Sequence, residues 1–69
     1  MNGQQIVDFA IACGASWAGL ERIALTKNKQ GVACSFSSEF DAENFMVYAR
    51  DMGINHKITR EQEFVLIWL

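Results

Sequence analysis

Residues Phe64-Val65-Leu66-Ile67-Trp68-Leu69 are six apolar side chains in succession. Such a run is too short for a self-sustaining helix and suits a strand, and without polar alternation both faces of that strand favour leaving water. Burying each large side chain contributes about 1.5 to 3 kcal/mol, more than any other stretch of this length can supply here. The strand is therefore expected inside a sheet, and the rest of the chain has to cover it.

Few covering elements are available. With 69 residues the chain is one domain, residues 1–69, near the lower limit at which a single core folds without a disulfide or metal. Cys13 and Cys34 each lie in an apolar segment and are expected as free, buried thiols. Met1 to Gln5 carries no Lys or Arg and Asp8 interrupts the first apolar run, so no secretory signal is read. No apolar window reaches the ~18 residues of a membrane span. A soluble, cytoplasmic chain is expected. The formal charge of -2 lacks the basic excess that phosphate binding normally requires.

Asn2, with Gln5 three residues on, predicts a capping box, and Ile6, Phe9, Ala10 and Cys13 follow at helical spacing up to Gly14. A helix is expected from Gly3 to Cys13. Gly14 to Gly19 reads as a compact connection with Trp17 over a helix end. Leu20 to Lys27 alternates as a strand, Asn28 to Gly31 as its turn, and Val32 to Ser37 as the returning strand, with Val32, Cys34 and Phe36 on one face and Ala33, Ser35 and Ser37 on the other.

The second helix is placed with Asp41 at its N-cap, Phe40 and Phe45 as a hydrophobic staple, and Gly53 at its C-terminal end. Its apolar stripe is Ala42, Phe45, Met46, Ala49 and Met52, with Tyr48 at the edge. Asn55 to Arg60 is a polar edge strand, and Arg60 to Glu63 turns into the terminal strand. The resulting α+β order is α-β-β-α-β-β: a four-stranded, mainly antiparallel sheet with two helices packed on it. A crossover through the second helix lets the last strand insert centrally, giving sheet order 1-2-4-3. Same-face packing of the helices is favoured over one on each side, because a three-layer sandwich is hard to complete with two short helices. It leaves either Val65, Ile67 and Leu69 or Phe64, Leu66 and Trp68 uncovered, and such a patch marks an association surface.

No catalytic, cofactor or metal residue is assigned. His56 is the only histidine, and spacing supplies no nucleophile, orienting partner or pocket for it. Cys13, Cys34 and His56 are separated by 21 and 22 residues, which matches no metal-site spacing. Phe9, Phe36, Phe40, Phe45 and Phe64 are read as packing. Trp17 and Trp68 are the first candidates for contact residues, because tryptophan is enriched at interface hot spots. Glu39, Asp41 and Glu43 form an acidic group at a helix start that either compensates the helix dipole or faces a basic partner, and Tyr48 completes the candidate set.

A non-catalytic module that binds a larger protein is therefore expected, acting by steric occlusion. In size and architecture alone the chain is similar to phage and mobile-element inhibitors of host defence, anti-CRISPR proteins among them; no residue motif carries the likeness. A homodimeric structural or regulatory domain is the alternative, and a nucleic-acid accessory protein contacting through the Lys27 to Lys29 hairpin a further one.

Overall fold

The computed structural model describes residues 1–22 and 30–69. In chain order the elements are α1 (Gly3–Ala12), β1 (Trp17–Arg22), β2 (Gln30–Ser35), α2 (Glu39–Asp51), β3 (Lys57–Glu61) and β4 (Phe64–Trp68). The four strands form one sheet in the order β1-β2-β4-β3, with every neighbouring pair antiparallel. This is the α-β-β-α-β-β arrangement and the strand order expected from the sequence.

β4 sits between β2 and β3, so its backbone donors and acceptors are matched on both sides. Two bonds extend the pairing beyond its ends: Leu69 N–H donates to the Gln30 carbonyl at 3.0 Å and Phe36 N–H to the Glu63 carbonyl at 3.0 Å. The outer strands β1 and β3 carry charged residues, as suits edges.

Both helices lie on the same face of the sheet. Ile6, Val7 and Ala10 of α1, Ala42, Phe45 and Ala49 of α2, Val32 and Cys34 of β2, and Val65 and Ile67 of β4 form one buried cluster with Phe36 and Ile54. Phe45 joins the two helical halves of it, with its ring centroid 5.7 Å from that of Phe9 and 5.0 Å from that of Phe36. Val65 and Ile67 are thus the core-facing residues of the terminal strand.

α1 starts as the sequence predicts. Asn2 Oδ1 accepts from Gln5 N–H at 2.9 Å while Gln5 Oε1 accepts from Asn2 N–H at 2.8 Å, a reciprocal capping box. Gly14, at φ +96°, and Gly53, at φ +85°, take the left-handed conformation that ends α1 and α2. After Gly53 the chain folds back, and Ile54 N–H donates to the Ala49 carbonyl at 3.0 Å as its side chain enters the core.

Several boundaries differ from the sequence reading. α2 begins three residues early, because Ser38 rather than Asp41 is the N-cap: its Oγ accepts from Asp41 N–H at 3.1 Å. Phe40 then lies inside the first turn, pointing outward at 71% exposure, and forms no staple with Phe45. Met52, expected on the apolar stripe, is the exposed C-cap residue. β1 starts at Trp17 instead of Leu20, so Trp17 pairs with Ser35 as a strand residue and does not close a helix end. Gly31 is a paired β2 residue rather than a turn residue. The remainder of the expected first strand and turn, residues 23–29, lies outside the described residues.

Ile67→Ala should cost about 2 to 5 kcal/mol in urea denaturation, the range for emptying a packed aliphatic site. Phe64→Ala, three residues away on the other face, should cost no more than about 1 kcal/mol; the reverse order would mean that the core lies on the Phe64 side. Gln62 occupies a left-handed position, φ 55°, in the turn from β3 to β4. Gln62→Gly should therefore raise stability by up to about 1 kcal/mol, because the side-chain clash it removes outweighs the added freedom of the unfolded chain.

Candidate functional site

Side chains alternate across a strand, so the residues opposite the core follow from the register. One row runs Trp17, Ser35, Phe64 and Glu61 across β1, β2, β4 and β3; the next is Gly19, Ala33, Leu66 and Thr59, and the third Glu21, Gly31, Trp68 and Lys57. Among the described residues, no helix covers these rows. The uncovered set is therefore Phe64, Leu66 and Trp68, one of the two sets that the sequence left open.

The face has relief. Phe64, Leu66 and Trp68 form a ridge along β4 beside a row of small residues on β2, the half-buried Ser35 and Ala33 and the buried Gly31. A shallow depression of about 310 Å³ lies in this relief, lined mainly by Trp17, Ala33, Thr59, Glu61, Phe64 and Leu66. Trp17 and Phe64 are half exposed, at 48% and 52%. The Trp17 indole folds along its own strand, and a Cβ placed on Gly19 would come within 3.0 Å of Trp17 Cζ2. Gly19 thus gives the ring a flat bed.

At the other end, Trp68 is held in place. Its Nε1–H donates to Thr59 Oγ1 at 3.3 Å, and Lys57 Nζ lies 5.3 Å from its ring centroid. A cation over an indole is attracted by the negative ring face. The indole is therefore held in one orientation within the chain.

Among the sequence candidates, the structure brings Trp17 and Trp68 to opposite corners of this face. Glu39, Asp41, Glu43 and Tyr48 lie on α2, in the helical layer behind the sheet. Two of those acids have a partner in the chain: Arg60 Nη1 lies 3.4 Å from Glu39 Oε1 and Arg60 Nη2 lies 3.0 Å from Glu43 Oε1. Arg60 Nη1 also donates to the Gln62 carbonyl at 2.8 Å. One guanidinium so ties α2 to the β3–β4 turn. Arg50 makes a similar tie at the other end, donating to the carbonyls of Ile54 at 3.1 Å and His56 at 3.0 Å.

Comparison of the chain with known protein families, curated proteins and solved structures finds no match.

Ala33, Gly19, Thr59 and Lys57 are not among the site candidates read from the sequence, which places Ala33 on the small-residue face of its strand and Lys57 on a polar edge. Only the hairpin register places them beside Phe64 and Leu66, and the signal that could have found them is the small-residue alternation Gly31-Ala33-Ser35. Among the described residues, no three His, Cys, Asp or Glu side chains gather as a metal site, and no helix is long and apolar enough to cross a membrane. Both cysteines are free thiols. Burial pushes the Cys34 thiol up from 9.0 to about 12, and burial also raises that of Cys13. Neither is set up as a nucleophile, which requires a thiolate.

Alkylation of the folded protein at mildly alkaline pH should modify Cys13 first and reach Cys34 only after unfolding, as read by peptide mass. The same burial predicts a pH dependence. Below about 9 both the folded and unfolded Cys34 are protonated; between about 9 and about 12 the unfolded chain alone ionises, so stability falls as pH rises through that window. Cys34→Ala should flatten the fall, whatever its effect on absolute stability.

Proposed function

We propose that this chain is a non-catalytic protein-binding module whose working surface is the uncovered sheet face. One observation supports the reading: both helices are used on the core side, leaving Trp17, Phe64, Leu66 and Trp68 together on a face that no other element covers among the described residues. Contiguous apolar patches of this sort mark association sites, and pre-oriented aromatics make their strongest anchors. Docking by such a face needs complementarity and no reactive group. Steric occlusion of a larger complex, the mode of anti-defence inhibitors, is the specific form of this reading expected from the sequence.

Exposed aromatics on a sheet also stack nucleic-acid bases, but that mode requires a basic path for the phosphates. Here Lys57 is the one cation on the three rows, against Glu21 and Glu61. The balance favours a protein. The depression is no better suited to a cofactor, since it sits at the small end of ligand sites and Thr59 and Glu61 are the main polar side chains at its rim.

Leu66→Glu places a charge at the centre of the face without touching the core. The variant should keep the wild-type melting temperature and lose protein association, measured by sedimentation and by capture on immobilised protein. Val47→Glu, on the outer side of α2, should leave both unchanged. A Leu66→Glu variant that keeps every association of the wild type would overturn the reading, as would tight, salt-sensitive binding of the wild type to single-stranded DNA or RNA.

A further inference from the structure

The uncovered face is self-complementary. Its ridge and furrow are adjacent: Phe64, Leu66 and Trp68 on β4 stand beside Ser35, Ala33 and Gly31 on β2, row by row. Consider a two-fold axis parallel to the strands, between two facing sheets, over the gap from β2 to β4. Rotation about it lays β4 of each copy over β2 of the other and keeps each row opposite itself. Phe64 then meets Ser35 and Leu66 meets Ala33 of the second copy, large against small, while Trp68 stands over Gly31, which is already buried in the single chain.

The outer strands match in the third row, while in the first the rotation sets Trp17 over Glu61. The same rotation lays β1 over β3, which puts Glu21 opposite Lys57 in the third row, twice by symmetry. Sheets packed face to face keep their strands within about 30° of each other at ~10 Å separation, an aligned geometry that these pairings require. Long Glu and Lys side chains span the divergence that the twist introduces at the corners.

We propose that the occupant of the uncovered face is a second copy of this chain, packed by this two-fold with ridge in furrow. The proposal rests on reading the face as a protein-docking surface and goes on to name what docks. Its size bears on whether a specific pair can form: four strands ~4.8 Å apart, five residues long at ~3.3 Å each, present about 300 Å² in plan. Doubled for side-chain relief and counted on both copies, this is about 1,200 Å², the lower edge of standard interfaces.

Sedimentation velocity over a concentration series tests it. The wild type should pass from monomer to dimer, and Leu66→Arg should stay monomeric while its thermal melt shows an intact fold. Ala33→Trp is the sharper variant: it makes the face more apolar but fills the furrow, so it should abolish the dimer, whereas unspecific stickiness would increase. Glu21→Lys or Lys57→Glu alone should weaken dimerisation by about three- to tenfold, and the two together should restore it to within about twofold, as rim charges set register more than affinity. A wild type that is monomeric at its highest soluble concentration, a dimer that survives Leu66→Arg or Ala33→Trp, or a double charge variant no better than the singles would each overturn the proposal. If the wild type is monomeric and Leu66→Glu still loses a different protein, only the identity of the occupant is wrong. If the wild type is monomeric and Leu66→Glu changes no association, the docking reading fails too.

Discussion

A strand paired on both sides still has two faces to hide, and that constraint organises this molecule. β4 takes its backbone partners from β2 and β3, which satisfies every ladder position and places Val65 and Ile67 at the centre of the core. Its other face carries Phe64, Leu66 and Trp68, and nothing in the hydrogen bonding helps to shield them. Covering a sheet takes a layer, and the chain has helix enough for one layer. Putting both helices on one side completes a well-packed core there and leaves the opposite face apolar.

The helical layer is fixed with few interactions. Phe45 spans the two halves by stacking between Phe9 and Phe36, and two arginines lock the connections of α2. Arg60 is the more informative of these. It lies on the core side of β3, reaches the Glu39 and Glu43 carboxylates and the Gln62 carbonyl, and so holds the turn that launches β4 against the helix that covers it. Exposed ion pairs contribute at most about 1 kcal/mol, so the stabilising work is done by the apolar cluster; Arg60 sets where the turn sits. The acidic group at the start of α2 thereby has a structural use within the chain.

How far the sequence revealed this depends on which physical signal each element carries. Hydrophobic periodicity and the unbroken apolar run were enough to give the two helices, four strands and the central position of β4, because burial dominates at those positions. The start of α2 was misplaced because Ser38 and Asp41 are both good capping residues three apart, and the choice between them is made by Phe36 entering the core just before Ser38. Once Ser38 caps, Phe40 falls on the outer side and cannot act as a staple. Trp17 was misassigned for a related reason: the glycines at positions 14 and 19 resemble a loop, but Gly19 is a strand residue whose missing side chain makes room for the indole. Which side of β4 stays bare depends on long-range register: the small-residue alternation along β2 marks the bare face of that strand, but only the pairing of Ala33 with Leu66 carries it over to β4.

Two readings of the bare face, a tolerated surface and the proposed docking surface, differ in the contour they expect. A surface evolved only to be tolerated would scatter its large residues and blunt them with charge. Here the large residues are collected on one strand and the small ones on its neighbour, with the cation at one end of β3 and an anion on β1 in the same row. Trp68 is further held by Thr59 and Lys57 rather than left to rotate, so less side-chain freedom is lost on contact. A ridge beside a furrow of matching length fits a surface with the inverse relief at the same spacing, and a two-fold rotation of the same sheet supplies that inverse without requiring any other protein. In the proposed pair the apolar excess of the terminal strand would be balanced by assembly, with the residues that a single chain leaves wet forming its interior.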